Sequence, residues 1–201
     1  MDDRPSRKQL THDLIVDTAA RTLRGAGFAG VGVADVMQRA GLTHGGFYAH
    51  FASREALLAQ ALERAGQESA RRLERTVAHG RARGLTPLRA LVEGYLSERH
   101  LKSPEAGCPV AALASEMPRQ SEAVRQVAAQ RVESLLERVR SVLPEGCPPD
   151  TAAALAGQLV GSLQLARALG DTAQGRRHLA TARRLLLEQF EPGQPGPGSA
   201  A

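Results

Sequence analysis

The sequence predicts an all-α protein, and three observations carry that expectation. Aromatic residues make up only 3% of the 201-residue chain, Trp is absent, and runs of β-branched residues that would build strands are nearly missing. Apolar residues recur at helical spacing along most of the chain. Gly and Pro gather where those periodic stretches stop. With 42% hydrophobic residues, the chain carries enough apolar material for one core or two small ones.

Leu10, Leu14, Ile15, Ala19 and Leu23 mark a first helix over 7–24, with Gly25 and Gly27 at its exit. Val33, Val36, Met37 and Ala40 fall at i, i+3, i+4 and i+7, the buried stripe of a second helix of barely two turns, closed by Gly41 as a left-handed cap. A turn of Gly41, Leu42 and Thr43 leads into a third short helix carrying "HGGFYAHF". Ser53 then offers its hydroxyl to cap a long helix, and Glu55 suits the positive end of that helix's dipole.

The stripe of the long helix is Leu58, Leu62, Ala65, Ser69, Leu73 and Val77, ending where "HGRARGLTP" reads as a loop around Gly80 and Gly84. Further helices are expected over 88–101, 108–117 and 121–143, the last carrying Val124, Val127, Leu135 and Val139. Pro104, Pro118 and Pro144 punctuate them. Asp150 is placed to cap a helix running to Leu169, and Asp171 or Thr172 to cap a final one ending near Phe190. The tail 191–201, "EPGQPGPGSAA", has the composition of a disordered segment. The plan is three short helices, a long connecting helix and a larger bundle, without an internal repeat.

The formal net charge of +5 suits an anionic partner without requiring one. No stretch resembles a signal peptide or a membrane span, so the expected location is the cytoplasm, with no membrane partner. Cys108 and Cys147 are then expected as thiols, and two cysteines do not make a zinc site, so neither metal nor cofactor is expected. "GAGFAG" at 25–30 fits the letters of a dinucleotide loop, yet a helix rather than a strand precedes it. The common signatures of hydrolases, phosphate-binding loops and metalloproteases are missing, and an enzyme reading has no positive support.

Two short helices joined by a glycine-containing turn match a helix-turn-helix, whose second helix enters the DNA major groove. Such turns also occur in helical proteins that never touch DNA, so the composition of the second helix has to decide. With Thr43 at its cap and about 100° per residue, Phe47 and Phe51 share one face and Gly45, Gly46 and Ala49 the opposite one. The small face admits close approach of backbone to a partner, flanked by the hydrogen-bonding tips of His44, Tyr48 and His50.

Residues 28–58, "FAGVGVADVMQRAGLTHGGFYAHFASREALL", resemble the DNA-binding segment of the tetracycline-repressor (TetR) family of bacterial transcription regulators. The features are V-x-D-V-x-x-x-A-G-L-T, then F-Y-x-H-F, then S-R-E-A-L at the start of the long helix. The resemblance implies an N-terminal three-helix helix-turn-helix domain at 1–52, a helical ligand-binding and dimerisation domain at 53–190, and a homodimer. Its partners would be double-stranded DNA with a palindromic operator and a small-molecule effector that releases a repressor from it.

Carried over by position, Thr43 caps the recognition helix and meets a phosphate, His44 and Gly45 lie nearest base edges, and Tyr48 and His50 reach phosphates. Arg54 occupies a usually basic phosphate-contacting position, and Arg7 and Lys8 are candidates for further backbone contacts. One departure is Gly32, where the family often has a hydroxyl that caps the second helix and binds phosphate; Ala34 likewise replaces a frequently polar residue. The alternative is a helical small-molecule binder or enzyme that keeps the motif without binding an operator.

For the effector the candidate lining residues are Tyr95, His100, Cys108 and Met117. Cys108 also opens an expected helix, a position that favours the reactive thiolate, and so is a candidate redox or electrophile sensor. Leu155, Leu159, Leu163 and Ala166 alternate with small residues in "AAALAGQLVGSLQLARAL", and the last helix adds Leu179, Leu186 and Phe190. These seven serve either an ordinary intramolecular core or, as the resemblance implies, a four-helix dimer interface.

Overall fold

The computed structural model describes residues 5–148 and 150–191. All its regular elements are helical: α1 (Arg7–Ala26), α2 (Val33–Arg39), α3 (Arg54–Ala82), α4 (Pro87–Tyr95), α5 (Glu98–Lys102), α6 (Pro109–Leu113), α7 (Glu122–Arg140), α8 (Thr151–Ala168) and α9 (Ala173–Phe190). Short 3-10 turns lie at His44–Ala49, Pro104–Ala106 and Met117–Arg119. No helix among the described residues is long and apolar enough to cross a membrane.

The boundaries follow from local chemistry. The hydroxyls of Ser6, Ser53, Thr86 and Thr172 each accept a backbone N–H from the first turn of α1, α3, α4 and α9 at 3.1–3.2 Å. Gly41, at φ +71°, ends α2: its N–H bonds Gln38 O and that of Leu42 bonds Met37 O, satisfying carbonyls the helix leaves over.

Several expected elements come out differently. The 88–101 helix breaks after Tyr95, where the Ser97 hydroxyl accepts the His100 N–H and starts α5 afresh. The 108–117 helix contracts to the five residues of α6. Gly80 does not open a loop but stays inside α3, because an added Cβ would lie 2.4 Å from Ala90 Cβ; its role is close packing. Asp150 stands at the start of α8 but its side chain makes no cap bond. The expected disordered tail lies outside the described residues except for Glu191, which accepts hydrogen bonds from the Thr86 hydroxyl and Arg89.

The chain divides into two compact units. The first comprises the described residues up to Ala70 together with Ser103–Glu133. Its core joins Ile15, Leu23, Phe28, Phe47, Phe51 and Leu62 to Leu113, Met117 and Val124 of the later segment. Arg24, 3% exposed, stitches that segment in: it donates to Glu105 O, Ala65 O and the Glu68 carboxylate at 2.6, 3.2 and 2.6 Å. A buried guanidinium is tolerable because its charge and its donors are met. Glu116 accepts the Phe28 N–H at 3.0 Å, and Gly27, at φ +75°, leaves room for that carboxylate.

The second unit comprises Arg71–Lys102 together with the described residues from Ser134 onward. There α8 and α9 pack along one another through a short connection over 169–172, the usual route to antiparallel neighbours. Arg167 and Arg183 donate to His100 O and Leu96 O, satisfying carbonyls freed around the break between α4 and α5.

Candidate nucleic-acid interface

The recognition segment is a 3-10 turn, His44–Ala49, rather than the expected α-helix. Its bonds run i to i+3, as from Gly46 N–H to Thr43 O at 3.1 Å and from His50 N–H to Phe47 O at 2.9 Å. At 3.0 residues per turn the two glycines no longer share a face. Gly46 turns toward α2, where an added Cβ would sit 3.7 Å from Met37 Cε; an added Cβ on Gly45 would meet nothing within 4 Å. Neither glycine has a positive φ. Nothing among the described residues therefore requires glycine at position 45.

Phe47, 1% exposed, and Phe51, 3% exposed, hold the segment down, their rings stacked at 5.4 Å between centroids. Thr43, His44 and Gly45 are exposed, and Tyr48 is 71% exposed, its ring edge-on to Phe47. Thr43 takes the cap position through its backbone alone, so its hydroxyl is not engaged as a cap. Arg7 and Lys8 are exposed in the first turn of α1. Cations there oppose the helix dipole, so their presence is not explained by helix stability.

His50 is only half exposed. Its Nδ1 is buried without a hydrogen-bond partner among the described residues, and its ring lies 6.0 Å from that of His12, which stacks on Phe51 at 4.6 Å and bonds Gln60. Burial, followed by the nearby His12 and Lys8, holds the His50 imidazole below its ordinary pKa. Arg54 is largely committed within the molecule: Nε donates to Val31 O at 2.9 Å and Nη2 to Phe28 O. It locks the loop between α1 and α2, a role the motif alone did not disclose. Gly32 takes the N-cap position of α2 and Ala34 is exposed, leaving no hydroxyl at either place.

The four effector candidates fall in both units. Met117 belongs to the core of the first unit, and Cys108, 4% exposed and at the start of α6, falls in that unit too. Tyr95 and His100 lie in the second unit, edge-on to each other with centroids 4.9 Å apart. His100 Nδ1 bonds Tyr95 O at 2.7 Å. Burial drives the His100 pKa down to about 4; the bond to Tyr95 opposes this, and Arg167 and Arg72 add to it.

His100 is thus neutral in the folded state over a range where the unfolded chain takes up a proton, so stability is full above pH 6.5 and declines as pH falls from 6.5 toward 4. The shift corresponds to a loss on the order of 3 kcal/mol at the acid end. Denaturant unfolding at pH 7, 6, 5 and 4 checks this against His100→Asn, which keeps a donor for Tyr95 O but does not titrate. An equal acid-side decline in both proteins would clear His100 as the cause.

Six of the seven expected dimer residues are core of the chain itself: Leu155, Leu159, Leu163, Ala166 and Leu179 are 0% exposed and Leu186 is 3% exposed. Phe190 is half-buried. The side of α8 turned to solvent is mostly apolar, with Ala154, Gly157 and Leu165 exposed, the last by 58%, Gly161 half-exposed and Gln158 among them; on α9 Leu185 is 50% exposed. Added Cβ atoms on Gly157 and Gly161 would meet nothing within 4 Å. An apolar helix normally finds cover on every side.

Residues 15–61 match the family described as bacterial regulatory proteins, tetR family, and residues 84–186 the tetracyclin repressor-like C-terminal domain. An uncharacterised HTH-type transcriptional regulator of Mycobacterium tuberculosis is 30% identical over 168 residues, covering 78% of this chain and 84% of that protein. Among solved structures, a TetR-family transcriptional regulator from Agrobacterium tumefaciens aligns with a TM-score of 0.73 at 23% identity, over 92% of this chain and 99% of that one. The reduced form of Escherichia coli NemR aligns at 0.72 with 19% identity, over 88% and 94%.

Proposed function

The chain belongs to the TetR family of bacterial regulatory proteins and is a helix-turn-helix transcriptional regulator; on that premise we propose that it is a cytoplasmic, homodimeric repressor without catalytic activity. Residues 1–52 read a palindromic operator, and a small molecule taken up within residues 53–190 releases it. Modification of Cys108 is the weaker of the two release routes, since a thiol 4% exposed is poorly accessible.

One observation carries the DNA reading. Gly45 has neither a positive φ nor a neighbour that would clash with a side chain, and it sits on the outer side of a segment pinned by Phe47 and Phe51. Glycine there has a reason only if something outside must come close to the backbone. In this reading His44 and Gly45 meet base edges, and Thr43, Tyr48, His50, Arg7 and Lys8 meet phosphates, with Arg54 bracing the loop behind them.

The test is a binding titration with DNA fragments from upstream of the gene and its neighbours. The expected result is a saturable, salt-dependent complex with one fragment in preference to the rest. Tyr48→Ala should weaken it about tenfold, the loss of one hydrogen bond to a charged group, at unchanged melting temperature. Failure of every fragment to form such a complex would end the regulator reading, and undiminished affinity would remove Tyr48 from the interface.

For the dimer, the outward face of α8 with Gly157, Gly161 and Leu165, together with Leu185 of α9, takes the place of the buried leucines. Leu165→Glu places a charge on that face and leaves the intramolecular core untouched. Light scattering at micromolar concentration should then report half the wild-type mass; a full dimer mass would move the interface elsewhere.

A further inference from the structure

The apolar stripe of α3 is sealed along its first half, where Leu57, Leu58, Ala61, Leu62 and Ala65 are at most 1% exposed. In its second half the same stripe continues as Leu73 and Val77, yet both stay only half-buried. They line a cleft of about 260 Å³ inside the second unit, together with Leu91 of α4, Arg138 in the last turn of α7, and Ser141 and Val142 just past it. That is just below the roughly 300–1,000 Å³ of sites for drug-sized molecules, and suits a short-chain or single-ring compound.

The cleft carries a charge as well as an apolar wall. Arg81 follows Val77 by one helical turn, lies on the same face of α3, and lines the cleft; it is exposed and forms no ion pair among the described residues. Arg138 is already paired with Glu74, so the lining leaves one guanidinium uncompensated. The geometry points to a binding site for a small amphipathic carboxylate, its apolar body against Leu73, Val77, Leu91 and Val142 and its carboxylate on Arg81. This deepens the regulator reading and rests on it, because the carboxylate is then the effector; α3, which walls the cleft, is one continuous helix from Arg54 to Ala82.

Octanoate serves as the probe, with octanol and octylammonium as the neutral and cationic compounds of equal chain length. Each is titrated into the full chain and followed by ligand-observed NMR, and octanoate is then added to the protein on its upstream DNA. The site requires saturable octanoate binding, no octylammonium binding, about tenfold weaker octanoate binding in Arg81→Gln and none in Val77→Trp, which fills the cleft. Arg81 is exposed, so Arg81→Gln keeps the test decisive if the Trp variant fails to fold.

Equal binding of all three probes, or octanoate binding unchanged in Arg81→Gln, overturns the site. Octanoate that binds without lowering DNA occupancy overturns the effector assignment. If no DNA complex forms at all, the regulator reading fails by itself, and the octanoate titration still decides the cleft.

Discussion

Replacing Gly45 by Glu is expected to abolish operator binding while leaving the protein as stable as before, or slightly more so. The Cβ added at this position meets nothing within 4 Å, and the backbone there has no positive φ, so the folded state admits a side chain without strain. Exchanging Gly for a residue that fits the native backbone stabilises by about 0.4–1 kcal/mol, chiefly by restricting the unfolded chain. In the complex, the new carboxylate would stand between the recognition turn and a polyanion. Like-charge juxtaposition costs several kcal/mol, which at about 1.4 kcal/mol per decade is a loss of 100-fold or more. Anisotropy titration and thermal unfolding of the same sample check the two halves together. Operator affinity within a few-fold of wild type would place the DNA-reading face elsewhere; a lowered melting temperature would mean that Gly45 serves the fold.

Two residues along, Phe47→Ala should do the reverse and act through stability. The Phe47 ring is 1% exposed, stacked on Phe51 at 5.4 Å and edge-on to Tyr48 at 5.2 Å, and it belongs to the core of the first unit. Truncating a buried Phe costs about 3–5 kcal/mol. A domain holds only about 5–15 kcal/mol in total, so a large share of the first unit's stability should disappear, and operator binding with it. Denaturant unfolding followed by circular dichroism measures the loss. A cost below about 1 kcal/mol would mean that the recognition turn is held by something other than its phenylalanines.

The contrast between these neighbours marks what is legible in the sequence. That Phe47 and Phe51 are core and Gly45 outward follows from spacing, but α-helical angles also pair Gly46 with Gly45, whereas in the 3-10 turn it faces Met37. Gly80 shows the same ambiguity. A glycine in a helix can mark an end or a close approach, and only the neighbour across the gap, here Ala90 Cβ, tells the two apart. Arg54 matched a basic position of the motif, while its bonds to Val31 O and Phe28 O depend on a loop more than twenty residues earlier in the chain.

What the sequence determined alone is what short-range physics controls. Helical periodicity, the serine and threonine caps, the left-handed glycine at 41 and the helix-turn-helix motif all depend on residues within a turn or two of each other. Tertiary structure decided which apolar faces meet. It placed 103–133 in the same unit as the recognition turn, buried Leu155, Leu159 and Leu163 in the chain's own core, and left Leu165, Leu185 and the cleft beside Val77 uncovered. The reason is physical: a period of 3.6 residues reports that a side of a helix is apolar, whereas burial depends on partners contributed by distant parts of the chain.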